Sequence, residues 1–223
     1  MRNFYQILVV AVFGLFAVYA SSQTIPQIII TSQANNFYPA NYPGKALVAP
    51  NSNVSLATEL LRNNKLVDVS QANFSWVLDG KLLGSGRGLK ETSFTSKKQA
   101  GDNHLVKVSI ELGGEKFENS QRIDVFDPVV VIEKETPGDS IRANEEINLQ
   151  AMPYFFSVSS LEDLKFLWRV GDTEEESKGE NRLILSVGRA FGALNSFRVS
   201  VTVQNNKNPL EFKNGSIQLK ILR

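Results

Sequence analysis

Cysteine is absent from the 223 residues. That excludes disulfides, thiolate metal sites, cysteine nucleophiles and a lipid-modified cysteine at one stroke. A β-sandwich built from this chain must therefore be held by its core alone, without an inter-sheet bridge. Histidine occurs once, which excludes a multi-histidine metal centre. A charge excess of either sign is also missing: 24 basic residues stand against 23 acidic ones, a formal charge of +1. A nucleic-acid binder would show a basic excess or stripe, so nucleic acid is not an expected partner. Long apolar runs are missing everywhere except at the N-terminus. What the chain does have is apolar content, 42% of residues, spread along its length. That is the composition of a folded protein, and the length suits two domains of roughly 100 residues.

The N-terminal exception carries the compartment. Arg2 gives a short basic start, Ile7 to Tyr19 is uncharged and almost wholly apolar, and Val18-Tyr19-Ala20 offers short residues at the positions a signal peptidase reads. This order describes a secretory signal peptide over residues 1–20, cleaved after Ala20. The alternatives are a buried core segment, or an uncleaved signal anchor that holds the chain to a membrane. The run is shorter than the roughly 20 residues a spanning helix needs. The expected location is extracytoplasmic: secreted, periplasmic or cell-surface.

The rest of the chain repeats itself. Phe74-Ser75-Trp76-Val77-Leu78-Asp79-Gly80 returns as Phe166-Leu167-Trp168-Arg169-Val170-Gly171-Asp172. Val106-Lys107-Val108-Ser109-Ile110 returns as Phe197-Arg198-Val199-Ser200-Val201, and Asn53-Val54-Ser55-Leu56 returns as Glu146-Ile147-Asn148-Leu149. Each match lies about 90 residues from its partner, in the same order, and a period of that size is a domain rather than a solenoid unit. Within each copy the apolar residues alternate: Phe74, Trp76, Leu78; Val106, Val108, Ile110, Leu112; Phe197, Val199, Val201, Val203; and Ile217, Leu219, Ile221 near the end. Alternation places one face of each strand in a core and the other in water. Gly113-Gly114 has hairpin spacing, and Asn205 to Pro209 fills the equivalent gap. Helical patterning is confined to Ser159–Leu164, one short turn with a serine N-cap. Pro26 and Pro128 each lead into an apolar run, where a missing N–H is harmless. The expected division is 24–126 and 128–223, joined by a short link.

The residues from Trp168 to Thr173 resemble the tryptophan strand and Gly-Asp turn of PKD (polycystic kidney disease-type) domains, a family of immunoglobulin-like sandwiches. Thr173 replaces the family's last glycine. Trp76-Val77-Leu78-Asp79-Gly80 resembles the same element one residue shorter, and Leu105–Ile110 and Ser196–Val203 resemble the family's late valine-rich strand. The resemblance implies an all-β chain of two tandem Ig-like (PKD-like) antiparallel sandwiches after the signal peptide. It also implies a surface adhesive, spacer or scaffold role with no catalytic residues and no cofactor. Independently of it, Trp76 and Trp168 each suit the gap between sheets packed about 10 Å apart, so both are expected in cores.

Candidate chemistry is thin. His104 follows Gly101-Asp102-Asn103 and is expected in an exposed loop without function; no Gly-x-Ser-x-Gly elbow accompanies it. Gly84 to Gly88 lacks the phosphate-loop spacing and is expected at a hairpin tip. Asp172, Glu174, Glu175 and Glu176 are expected in a solvated loop; a calcium site is the alternative reading, against which stands the missing spaced acidic pattern. Asn53, Asn73 and Asn214 begin glycosylation sequons. The distinctive segment is Asn35 to Gly44, with Phe37, Tyr38 and Tyr42 set among two prolines, and the second copy lacks it. Two readings compete. The loop folds back over the open end of the first sandwich, or its rings form a binding surface for a protein or glycan of the cell envelope. The chain ends on a strand pattern, so a partner is expected to meet the folded domains or the N-terminus.

Overall fold

The computed structural model describes residues 25–136, 138, 140–142, 145–171, 173–178, 180–186 and 195–222. The expected signal segment, residues 1–20, lies outside the described residues. The chain is all-β. Its first half contains β1 (Gln27–Ala34), β2 (Asn53–Arg62), β3 (Lys65–Leu66), β4 (Asn73–Leu78), β5 (Lys81–Arg87), β6 (Glu91–Thr95), β7 (Asn103–Leu112) and β8 (Glu115–Asp124). Its second half contains β9 (Val129–Lys134), β10 (Ser140–Arg142), β11 (Glu146–Tyr154), β12 (Leu164–Val170), β13 (Thr173–Lys178), β14 (Arg182–Ser186), β15 (Ser196–Asn205) and β16 (Phe212–Leu222). Both β1 and β9 begin directly after a proline, as expected.

In the first half β1, β2, β3 and β6 form one sheet, and β5-β4-β7-β8 the other. In the second half β14-β11-β9 face β10-β16-β15-β12-β13. Pairings are antiparallel, apart from β10 on β16 and a single Val48–Val125 bridge. Each pair of sheets encloses its own core. One gathers Val54, Leu56, Phe74, Trp76, Val106, Val108 and Ile110; the other Leu149, Phe166, Trp168, Val199, Val201, Val203 and Leu219. Every one of these sits at an alternating position, because successive strand side chains point to opposite faces.

The turns are made by residues that tolerate positive φ. Gly113 (φ 60°) and Gly114 (φ 84°) join β7 to β8, and Asp79 (φ 50°) and Gly80 (φ 81°) join β4 to β5. Two successive positive values are the signature of the tight hairpin turn whose twist matches the strands. The β4–β5 hairpin relocates Gly84–Gly88. Gly84 to Gly86 lie inside β5, paired to Trp76, Ser75 and Phe74, so the expected tip is a strand and Asp79-Gly80 is the tip. Leu161–Asp163 forms a single 3-10 turn after Ser160, whose side chain makes no capping bond. Among the described residues no helix is long and apolar enough to cross a membrane.

The strand registers define a junction and two far poles. Ala34, Val125, Val129, Tyr154 and Phe212 lie toward the region where the halves meet. β1 enters at the opposite pole of the first sandwich, where Gln27 pairs with Leu61. β16 runs away from the junction to pair with Ser140–Arg142 at the far pole of the second.

Candidate functional site at the junction

The Asn35–Gly44 segment connects β1 to the Val48 bridge, and Asn36 roots it in the first sandwich. The Asn36 side-chain amide donates to the Leu47 carbonyl and the Ser52 hydroxyl, both at 2.7 Å, and Ser52 also accepts from the Ala49 amide at 2.7 Å. The Tyr42 amide closes a turn onto the Pro39 carbonyl at 3.0 Å. Gly44 is needed there: a Cβ would stand 2.5–2.8 Å from the Tyr42 ring.

Beyond its root the loop does not fold back over the first sandwich. Phe37 forms an antiparallel bridge with Phe156 of the second half. The Phe37 amide donates to the Phe156 carbonyl at 2.9 Å, and the Phe155 amide donates to the Phe37 carbonyl at 2.6 Å. The Phe37 ring packs against the second core. Tyr42 stands edge-on to Tyr38 (5.7 Å), Tyr154 (5.7 Å) and Phe155 (5.5 Å). Edge-to-face pairs of this kind add to the burial of area. The capping expectation is therefore corrected: Phe37 and Tyr42 are half-buried, but against the other sandwich. Tyr38 remains exposed, at 37%.

The receiving turn is itself fixed. Glu211, buried between β15 and β16, accepts from the Ser157 amide (2.7 Å), the Ser157 hydroxyl (2.6 Å) and the Asn205 side-chain amide (2.6 Å). Charged acceptors make stronger bonds than neutral ones. On the side of the linker an open cleft of about 780 Å³ lies between Pro50, Gln99, Asp127, Leu210 and Phe212. Leu210 and Phe212 are exposed apolar side chains.

His104 overturns its expectation. It lies in β7, one residue from its start, and is 3% exposed. Its Nδ1 lies 2.7 Å from Asp79 Oδ2 and its Nε2 3.0 Å from Ser96 Oγ, with the Phe94 ring edge-on at 4.9 Å. The contact order is that of a nucleophile, base and orienting acid, but Ser96 is 0% exposed and no substrate reaches it. The arrangement instead satisfies buried polar groups. Ser96 also exchanges backbone bonds with Ser52 and Asn51, which links His104 to the root of the aromatic loop.

Asp79 is the charged end of this network. Burial pushes its carboxyl up, but the Lys98 ammonium at 2.9 Å, the Leu105 amide at 2.9 Å and His104 outweigh that and hold it at about 2. A depressed carboxyl stabilises the fold fully above its ordinary value and loses that contribution as pH falls toward the folded one. Stability is thus expected to decline as pH falls from 3.8 to about 2, by on the order of 2 kcal/mol through this group. Asp79→Asn is expected to be less stable at neutral pH with a flatter acid limb, read by urea unfolding across that window. An unchanged acid limb would show that Asp79 is not the group responsible.

The acidic run is also corrected. Thr173–Lys178 is not a loop; its backbone forms the edge strand β13 on β12, and Asp172 lies outside the described residues. Among the described residues no group of three His, Asp or Glu side chains is placed to hold a metal ion. Asn53, Asn73 and Asn214 all lie on strands and all three are exposed.

No family model matches the chain, and no curated protein matches it. Solved structures are similar to it in fold. The three N-terminal domains of the highly immunogenic outer capsid protein (Hoc) of bacteriophage RB49 match 88% of this chain at 10% identity, with a TM-score of 0.47; this chain covers 59% of that one. Fibronectin(III)-like modules of Clostridium thermocellum CbhA match 86% of this chain at 11% identity, with 95% of that chain covered and a TM-score of 0.31. Murine CEACAM1b matches 87% of this chain at 13% identity, with 100% of that chain covered and a TM-score of 0.30.

Proposed function

We propose that the chain is a non-catalytic, extracytoplasmic interaction and spacer module. In this reading residues 1–20 direct export, and residues 24–126 and 128–223 are tandem Ig-like modules of PKD-like type. The observation that carries it is the junction. Phe37 of one sandwich is seated in the other, while β1 enters and β16 leaves at opposite poles. Two bodies joined at Phe37, with β1 entering and β16 leaving at opposite poles, keep those two poles at a set separation. An apolar interface limits relative domain motion, and buried Phe155 and Phe156 with half-buried Phe37, Tyr42 and Tyr154 supply apolar contact between the halves.

A second reading keeps a contact role for the loop, toward a protein or glycan of the cell envelope. Of the three rings Phe37, Tyr38 and Tyr42, the exposed one is Tyr38, and this favours Tyr38 as the contact. One experiment serves both readings. Chain recovered from an expressing cell is expected outside the cytoplasm with Ser21 as its first residue; full-length chain in the cytoplasm would overturn the export reading. When that material is incubated with cell envelope, Tyr38→Ala is expected to abolish retention with an unchanged melting temperature if the loop is the contact. Retention equal to the parent's would leave the spacer reading alone.

A further inference from the structure

The closed junction contains a feature that opening would relieve. Phe155 has φ 65°, in the left-handed region where a bulky aromatic is an outlier. Such conformations persist only where the surroundings impose them, and here the Phe37 bridge and the Glu211-held Ser157 constrain the residue. Phe155 lies at the contact that joins the halves, where its amide donates to the Phe37 carbonyl.

The contact is also separable from the ladders around it. β1 ends at Ala34 and the Val48 bridge resumes the pairing, so the loop can lift away without breaking a strand of either sheet. Two backbone hydrogen bonds and ring packing hold Phe37, whereas nine paired residues hold β15 to β16. Segments with few bonds open locally at lower free energy than the ladders.

We propose that residues 35–44 form a releasable latch. In the closed state Phe37 is seated in the second sandwich and the two bodies move as one. In the open state Phe37 withdraws, Phe155 returns to negative φ, Asn36 keeps its bonds to Leu47 and Ser52, and the sandwiches hinge at Phe126–Pro128. The proposal rests on the spacer reading, since it states what makes the spacer stiff and what loosens it.

The cysteine-free sequence allows site-specific labelling without background. Spin labels on Lys65→Cys, at the far pole of the first sandwich, and Glu146→Cys, at the far pole of the second, report one distance across both bodies. The labelled parent is expected to give a narrow distribution, and Phe37→Ala a distribution at least about twice as wide, with the emission of both tryptophans unchanged. In the unsubstituted chain the Phe37 and Phe155 amides are expected to exchange at least ~10-fold faster than those of Val108 and Val201. A narrow parent with an equally narrow Phe37→Ala overturns the latch and leaves the spacer intact. Phe37 and Phe155 amides that exchange as slowly as Val108 overturn it as well. A broad distribution in the parent removes the spacer reading itself and the latch with it.

Discussion

Replacing Trp76 or Trp168 by alanine is expected to unfold mainly the sandwich that contains it, at a cost of ~3–5 kcal/mol for each. Both indoles are fully buried, Trp76 at 0% and Trp168 at 1% exposure, and each belongs to a separate core cluster. Each lies on a central strand, Trp76 opposite Val108 and Gly84, Trp168 opposite Val201. An alanine leaves a cavity that strands tied on both sides cannot collapse to fill. The two sites differ in one respect that sharpens the test. The Trp76 indole N–H donates to the Leu89 carbonyl at 2.9 Å, while the Trp168 indole nitrogen has no partner among the described residues. Trp76→Phe is therefore expected to be worse than Trp168→Phe by about 1 kcal/mol, since only the first leaves an acceptor unpaired. Calorimetry is expected to show two transitions, one lowered by each tryptophan variant. A single transition lowered equally by both, or both rings open to a soluble quencher, would contradict separate cores built around the two indoles.

The strands and cores were legible because they depend on local alternation. Phe74, Trp76, Val106, Val108, Ile110, Phe197, Val199, Val201 and Val203 are all buried where period two places them. Gly113-Gly114 is a hairpin turn because adjacent residues with positive φ define one. His104 was not legible. What buries it is the pairing of Leu78 with Val106, which brings the Asp79 turn alongside the start of β7, and register between distant strands leaves no trace around a single histidine. The available signal was Asp79-Gly80 just beyond the tryptophan strand, which marks the hairpin tip and so displaces Gly84–Gly86 into β5. Thr173–Lys178 carries no apolar alternation in its sequence, so an edge strand paired only to β12 looks like a loop. The aromatic loop stood out by composition, but its target did not. Phe156 lies in the other half, and a contact across a boundary leaves no periodicity to read.

Glu211→Leu is expected to lower the second sandwich's transition by ~2–4 kcal/mol and to release the loop that bridges the halves. The carboxylate accepts from the Ser157 amide, the Ser157 hydroxyl and the Asn205 side chain, and leucine leaves all three donors without their acceptor. Removing one partner of a buried polar set is worse than removing the set, because the remaining groups keep their desolvation penalty. Glu211→Gln retains one acceptor oxygen and is expected to fall between leucine and the parent. The position of Ser157 extends the effect to the junction. It lies two residues after Phe155 and one after Phe156, whose amide and carbonyl respectively grip Phe37. Once Ser157 is freed, nothing on that side imposes the left-handed backbone of Phe155, and the Phe37 amide is expected to exchange faster than in the parent. The first sandwich's transition is expected to stay in place, because the Ser96–His104–Asp79 network does not include Glu211. A Glu211→Leu protein whose second transition moves by less than about 0.5 kcal/mol, the size of an ordinary surface change, would show that the carboxylate anchors neither the loop nor the sandwich.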